Sequence, residues 1–352
     1  MKSKAIILSL VFVVIIAGLA SSFFKSQGGG SLPELAGGPG DGDMEEDRSF
    51  TSPLQITETR KREFPGSEVA IERELGRGIN YSRYIASYSS DGLKIFGLLT
   101  IPDGKVPEGG YPAIVFNHGW VRPDEYRTTE KYVAYQDAIA RSGYVVFKPD
   151  YRGHGDSEGF PEGAYFSDAY TIDVLNALGS LKKMPEVNPE KIGMWGHSMG
   201  GFLTLKSMVV TEDVKVGVVW GGVVAGYEDL LFNWRRGSRS EETDPEISES
   251  RMRRKEEFLN ILPSEEESRA FWASISPIEF VADISGPVQI HHGLADETVP
   301  FEFSKSLENK LTREDKVHEA YYYEEGNHNL SGTSFGPAMS RTIEYFDRFL
   351  KD

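Results

Sequence analysis

The chain has 352 residues, enough for one large α/β domain or two small ones. With 54 acidic residues against 38 basic ones its formal charge is −16, which argues against nucleic acid as a partner. It contains no cysteine, so disulfides, a thiol nucleophile, cysteine-ligated metals and lipidation of an N-terminal Cys are excluded.

Lys2 and Lys4 precede an apolar run, Ala5–Ala20, which Ser21-Ser22-Phe23-Phe24 extends. Residues 1–24 therefore read as a targeting segment. Gly18-x-Ala20 meets the small-residue rule for cleavage of a secretory signal. Ala5–Phe24 also supplies the ~18–20 apolar residues of an uncleaved membrane anchor. The anchor is the preferred reading, with the positive end inside and the bulk of the chain extracytoplasmic. Secretion after cleavage is the alternative. Residues 25–50 hold Gly28-Gly29-Gly30, Gly37-Gly38-Pro39-Gly40 and the acidic run Asp41–Asp47, the composition of a flexible tether.

The folded domain is expected over residues 51–352. Ser67–Leu75 and Tyr81–Tyr88 alternate as strands. Ser89-Ser90-Asp91-Gly92 is a turn, and Leu93–Ile101 is the returning strand. From there strands alternate with helices. Strands are expected at Ala113–Asn117, Tyr144–Pro149, Lys191–Trp195, Val214–Trp220, Val288–His292 and His318–Tyr323. Helices are expected at Thr129–Ser142, Phe166–Lys183, Phe301–Leu311 and Phe335–Leu350. Tyr170, Val174, Leu175, Leu178 and Leu181 form the apolar side of the second helix. The pattern predicts an α/β fold: a mostly parallel central sheet with helices on both faces and antiparallel N-terminal strands. Residues 227–282 break the rhythm. They are charged, with scattered anchors such as Leu231, Phe232, Trp234, Phe258, Phe271 and Trp272, and read as an inserted helical lid.

The pattern G-x-S-x-G occurs three times, at Gly155–Gly159, Gly196–Gly200 and Gly332–Gly336. Only the middle copy, GHSMG, sits between a clear strand and a clear helix. The first runs into Phe160-Pro161, where a helix does not readily continue. The third lies near the chain end with no acid and histidine to follow. Context therefore selects Ser198 as the nucleophile of a strand–turn–helix elbow. Gly196 and Gly200 are needed there because a Cβ would collide with backbone passing close to the serine.

A serine hydroxyl needs a base, and the base needs an orienting carboxylate. In the fold built around this elbow the chain order is Ser, acid, His. Asp296, in the loop after Val288–His292, is the acid, ahead of Glu297. His328, in the loop after His318–Tyr323, is the base. Of seven histidines it is the one that follows both Ser198 and Asp296 beyond a strand end, since His318 starts its strand. The oxyanion donors are expected to be the N–H of Met199 and, from the loop Asn117-His118-Gly119-Trp120, the N–H of Trp120, with Gly119 permitting the turn. His118 reads as a structural loop residue. Tyr126, Arg152 and Trp234 are candidate pocket residues. His291 and His292 are adjacent on a strand and point to opposite faces, so they do not chelate one ion. The Gly-x-Gly of Arg152-Gly153-His154-Gly155 lacks the following helix of a dinucleotide site. No metal or cofactor is expected.

From Tyr81 to Asp352 the chain resembles α/β-hydrolases. It is most similar to the branch that holds prolyl-oligopeptidase-like serine peptidase domains and dienelactone-hydrolase-like esterases. The resemblance rests on FNHGW (Phe116–Trp120), PDYRGHGDSEG (Pro149–Gly159), IGMWGHSMGG (Ile192–Gly201), SPIEF (Ser276–Phe280), HHGLADETVP (His291–Pro300) and EEGNH (Glu324–His328). It implies that Ser198, Asp296 and His328 are a catalytic triad acting through an acyl-enzyme. The peptidases of that branch carry a β-propeller, and the stretch ahead of this sheet is too short for one. Asn117 and His118 stand where the peptidases carry an oxyanion tyrosine. An esterase acting on a small-molecule carboxylic ester is therefore the first expectation. A peptidase acting on short peptides or acyl-amino acids is the second. A thioesterase or lipase at the membrane surface and a non-catalytic binding protein on a hydrolase scaffold complete the field.

Overall fold

A computed structural model describes residues 52–234, 245–259 and 265–351. The targeting segment and tether expected over residues 1–50 lie outside the described residues. The element order begins with a short helix α1 (Ile56–Thr59) and three strands, β1 (Ala70–Leu75), β2 (Tyr81–Ser90) and β3 (Leu93–Pro102). Asp91 and Gly92 alone make the β2–β3 turn. Both have positive φ, 50° and 80°, the backbone that a two-residue hairpin with right-handed strand twist requires. Ser89 and Ser90, expected in the turn, continue the strand.

The chain then alternates: β4 (Tyr111–Asn117), α2 (Val133–Arg141), β5 (Val145–Pro149), α3 (Ala169–Leu181), β6 (Val187–His197), α4 (Met199–Val210) and β7 (Gly217–Trp220). After the insertion come β8 (Val288–Gly293), α7 (Phe301–Arg313), β9 (His318–Tyr323) and α8 (Phe335–Leu350). The insertion holds a π-helical turn (Asp229–Asn233), α5 (Pro245–Leu259), α6 (Glu265–Ile275) and a 3₁₀ segment (Pro277–Asp283), and among its described residues no strand.

Among the described residues the nine strands form one sheet in the order β1-β2-β3-β5-β4-β6-β7-β8-β9. The run from β1 through β3 to β5 is antiparallel, and the six strands from β5 to β9 are parallel. The protein therefore has the mostly parallel sheet that the pattern implied. Alternate residues of one strand serve different cores. Ala113 and Val115 of β4 join Tyr170, Phe202 and Leu307 on the face of α3, α4 and α7. Ile114 and Phe116 join Ile139, Trp195 and Phe346 on the face of α2 and α8. Burial on both faces explains why β4 reads as an unbroken apolar run.

Several boundaries move for local reasons. β1 starts at Ala70 rather than Ser67, β6 extends back to Val187, and β7 begins at Gly217 rather than Val214. α3 starts at Ala169 and not Phe166. Just ahead of it, Asp168 is taken up by the Thr59 hydroxyl and an ion pair with Lys206. α2 starts at Val133 and not Thr129, because Tyr132 has the left-handed backbone φ 63°, ψ 20°.

The strand order reverses its direction of growth between β4 and β6. The carboxyl ends of these neighbours are paired, Asn117 opposite Gly196. At such a switch point in an α/β sheet the connecting loops diverge and leave a crevice. The FNHGW loop and the Ser198 elbow both open onto it.

Candidate active site

Ser198 joins β6 directly to α4 with φ 55° and ψ −119°, a left-handed backbone that a side-chain-bearing residue adopts only at a cost. Three hydrogen bonds hold it there. Its N–H donates to Trp220 O at 3.0 Å, and its carbonyl accepts from Gly201 and Val223 N–H at 3.0 and 3.1 Å. The flanking glycines make room. A Cβ on Gly196 would come 2.2 Å from Gly200 O, and one on Gly200 only 1.9 Å from Asn117 O. The elbow is thus wedged against the end of β4, and Asn117 Nδ2 reinforces the join by donating to Thr204 Oγ1 of α4 at 2.9 Å.

Asp296 and His328 come from the loops after β8 and β9. His328 Nδ1 lies 2.8 Å from Asp296 Oδ2. The acid is encircled by donors. Its Oδ1 accepts from Thr298 and Val299 N–H at 2.8 and 2.9 Å. Its Oδ2 also faces His292 Nε2 at 3.1 Å. Burial works against the charge, but the hydrogen bonds from His292 and His328 outweigh it and hold the carboxyl well below the usual carboxylate range. Gly221, just after β7, lets this pair sit close: a Cβ there would be 3.3 Å from both Asp296 Oδ2 and His328 Nδ1. Glu297, the other acid of this loop, is exposed.

His197, the residue before Ser198, is buried and contacts His328, with ring centroids 4.5 Å apart and its Nε2 2.9 Å from His328 O. Through it the elbow and the His328 loop share one rim. Burial, with repulsion from His328, lowers the His197 pKa to about 3, so this ring is neutral.

The FNHGW loop lies against the same rim. Gly119 is required there by proximity and not by a special turn. Its φ is not positive, but a Cβ would sit 2.5 Å from the Tyr132 hydroxyl and 3.1 Å from Ser198 Cβ. Its N–H donates to Tyr132 Oη at 2.9 Å and is thereby already engaged. The next amide belongs to Trp120, which is 38% exposed and lines the same cavity as Met199. His118 is a structural residue. It is fully buried, stacked between Tyr126 and Tyr151 at 4.8 and 4.2 Å.

That cavity, of about 370 Å³, is walled by Trp120, Met199, Tyr165, Phe166, Leu231 and Trp234 among others. Trp234 lines it, held by its indole N–H on Thr298 O at 2.9 Å. Tyr126 and Arg152 do not line it. Tyr126 is fully buried with its hydroxyl on Asp150 Oδ1 at 2.8 Å. Arg152 is turned inward onto the buried Asp173, Nη2 to Oδ1 at 2.7 Å. Both side chains satisfy a buried carboxylate, and an unpaired charge there would cost more than any surface role could return. A smaller hollow of about 200 Å³ beside Arg60, Arg62 and Asp213 touches none of the candidate site residues.

His291 and His292 are separated by the sheet. His291 bonds Tyr323 and Gln289, and His292 bonds Ser304 and faces Asp296. Among the described residues no group of three or more His, Cys, Asp or Glu could hold a metal ion. Sequence reasoning missed His292, His197, Tyr132 and Gly221 as parts of the site. The available signals were the histidine inside GHSMG and the Gly221-Gly222 pair directly after a strand.

Solved structures similar to this one include peptidases and esterases. Porphyromonas gingivalis dipeptidyl peptidase 4 superposes with a TM-score of 0.60 at 19% identity, covering 77% of this chain and 36% of that one. Acetyl xylan esterase 1 from Thermoanaerobacterium sp. superposes with a TM-score of 0.59 at 15% identity, covering 83% of this chain and 90% of that one. At such identities the likeness is one of fold. Among curated sequences, the uncharacterized peptidase YtmA of Bacillus subtilis is 26% identical over 261 residues, 74% of this chain and 89% of its own length. Residues 131–352 match the model of the prolyl oligopeptidase family. The chain is a hydrolase of the α/β-hydrolase fold and belongs to the prolyl oligopeptidase family.

Proposed function

We propose that the protein is a serine hydrolase that cleaves carboxylic esters of small to medium size through an acyl-enzyme on Ser198. Ser198 Oγ attacks the carbonyl carbon while His328 takes its proton. His328 then delivers that proton to the departing alkoxide as the ester C–O bond breaks. Water adds to the acyl-enzyme by the same route, releasing the acid and restoring the serine. Asp296 orients His328 and balances its charge. Met199 and Trp120 N–H groups receive the oxyanion. The reading is carried chiefly by one observation, the 2.8 Å bond between His328 and Asp296 on loops at the strand ends, with His328 packed on His197, the neighbour of a left-handed Ser198.

The ester preference is supported by the cavity, whose walls are mainly apolar and aromatic and leave room for an acyl chain or a ring. Residues 227–282 supply Leu230, Leu231, Trp234, Met252 and Lys255 to that wall, which favours their role as a lid. A peptidase acting on short peptides or acyl-amino acids is the second reading. The family match and the peptidase name given to YtmA favour it.

Hydrolysis of short p-nitrophenyl esters and of aminoacyl p-nitroanilides by the protein and its Ser198→Ala variant separates the two. Ester turnover that disappears in the variant, with anilides untouched, is the expected result. Anilide cleavage that disappears in the variant would make it a peptidase. Activity surviving in Ser198→Ala would remove Ser198 from the mechanism, and failure of the parent to react with a fluorophosphonate would favour a binding protein.

We also propose that residues 1–24 tether the enzyme to a membrane with the catalytic domain extracytoplasmic, on the strength of Lys2, Lys4 and the apolar run that follows. Membrane fractionation and protease accessibility in intact cells test this. Recovery of the enzyme in the cytosolic fraction would overturn it.

A further inference from the structure

We propose that Tyr132 and His197 are positioning residues that lock the FNHGW loop to the backbone of His328, so that the oxyanion side and the base side of the site move as one body. The inference rests on the assignment of Ser198, Asp296 and His328 made above.

The direction of each hydrogen bond follows from chemistry. His197 Nε2 is 2.9 Å from the carbonyl oxygen of His328, and a carbonyl only accepts, so Nε2 carries the hydrogen. Nδ1 of the neutral ring is then a bare acceptor. Tyr132 Oη is 2.7 Å from it and must donate its hydrogen there. With that hydrogen committed, Tyr132 Oη accepts the Gly119 N–H at 2.9 Å. One unbranched chain, Gly119 to Tyr132 to His197 to His328, thus joins the FNHGW loop to the His328 loop. The neutral state it requires of His197 is maintained by burial, which keeps the ring uncharged down to about pH 3.

Two further features are explained by this chain. Tyr132 holds a left-handed backbone at φ 63°, unfavourable for a bulky residue, and it cuts α2 short at Val133. That conformation is the one that delivers its hydroxyl between Gly119 and His197. The Tyr132 ring is also clamped edge-on by Phe116 at 5.7 Å and by Trp195 at 6.2 Å, each from a strand that ends at the site.

The chain fixes two coordinates that the Asp296–His328 bond leaves open. Asp296 sets the direction of the imidazole, whereas His197 sets the height of the His328 backbone. Gly119 anchors the peptide next to the one that carries the Trp120 N–H. A displacement of about 1 Å in such groups costs on the order of 100-fold in rate.

The test uses the full-length protein and Tyr132→Phe, which deletes one hydroxyl, with His197→Phe, their combination, and His197→Gln, which retains a donor toward His328. The expected result is a kcat for p-nitrophenyl esters lowered roughly 10–100-fold in each single variant, with KM within about twofold of the parent. The double variant should be no slower than the slower single one, because both break the same chain. His197→Gln should recover part of the loss. Amide hydrogen exchange in residues 117–122 and 326–331 should accelerate together in Tyr132→Phe while α8 is unchanged. Multiplicative losses, a kcat within about twofold of the parent, or exchange rising in only one of the two loops would overturn the proposal. If Ser198→Ala retains ester turnover, the catalytic assignment falls, and the exchange data still decide whether the two loops are tied.

Discussion

Asp296→Asn looks conservative, and the geometry makes it severe. Asp296 accepts four hydrogen bonds: two from the Thr298 and Val299 amides on Oδ1, and those of His328 and His292 on Oδ2. Asparagine offers one oxygen and one NH₂ group. The two backbone amides cannot reverse their polarity, so the oxygen must stay with them. The NH₂ then faces both imidazoles, and His328 has to present a bare Nδ1 and carry its hydrogen on Nε2. That is the tautomer unable to take a proton from Ser198. The mechanism accounts for a fall in kcat on the order of 10⁴-fold, or about 5.5 kcal/mol of barrier at about 1.4 kcal/mol per tenfold. Alanine leaves His328 free to choose its tautomer, so Asp296→Ala should be no worse than Asp296→Asn. The assay is kcat for a p-nitrophenyl ester, with the rate of fluorophosphonate labelling as a second report on Ser198. Thermal unfolding should also fall, since the NH₂ meets the hydrogen that the Val299 carbonyl holds on His292 Nε2, although the backbone contacts of Oδ1 survive. A loss below about tenfold, or an asparagine variant much more active than the alanine one, would refute the assigned role of Asp296.

Gly200→Ala must displace the elbow, because the new Cβ would lie 1.9 Å from Asn117 O, while Gly336→Ala in α8 meets nothing within 4 Å. Ester turnover should fall at least about 100-fold in the first, and the second should gain a few tenths to about 1 kcal/mol in denaturant unfolding; equal behaviour of the two would be contrary evidence. Arg152→Met strands the buried Asp173 and should cost about 3 kcal/mol in urea unfolding without changing KM. A changed KM with unchanged stability would instead return Arg152 to the pocket. Stability should also fall on acidification. His197 and His291 have folded pKa values of about 3 against an ordinary 6.5, so between these values the unfolded chain binds protons that the folded one refuses. Each takes away about 2 kcal/mol by pH 5, and Asp150, raised to about 6 by burial, returns about 1 kcal/mol. His291→Gln should shrink the loss between pH 7 and pH 5 by about 2 kcal/mol in urea unfolding, and an unchanged loss would contradict its buried neutral state.

The fold was legible because its strands carry strong local signals. The apolar run of β4 and the strand-to-helix change at Ser198 depend only on neighbours in sequence. Order along the chain singled out Asp296 and His328, which the structure brings within 2.8 Å of each other. The rest of the site depends on contacts between distant residues. Tyr126 and Arg152 looked like pocket residues because they are polar or aromatic near conspicuous loops. Their partners, Asp150 and Asp173, draw them inward, and nothing local announces that pairing. The early end of α2 has the same origin. The helical reading runs through Thr129 to Lys131, whereas Tyr132, whose hydroxyl engages Gly119 and His197, has a left-handed backbone that starts the helix at Val133. Gly119 shows the reverse error. It was read as a residue for turning and is one for closeness.

The division of labour between the sheet and the segment inserted after β7 has a consequence for how such a protein can change. The groups assigned to bond-making sit at the ends of strands whose positions are fixed by hydrogen bonding across the sheet. Leu230, Leu231, Trp234, Met252 and Lys255 all come from one contiguous stretch of chain. One side of the cavity can therefore be rewritten by exchanging that stretch between relatives, in one genetic event, while the groups assigned to bond-making are inherited untouched.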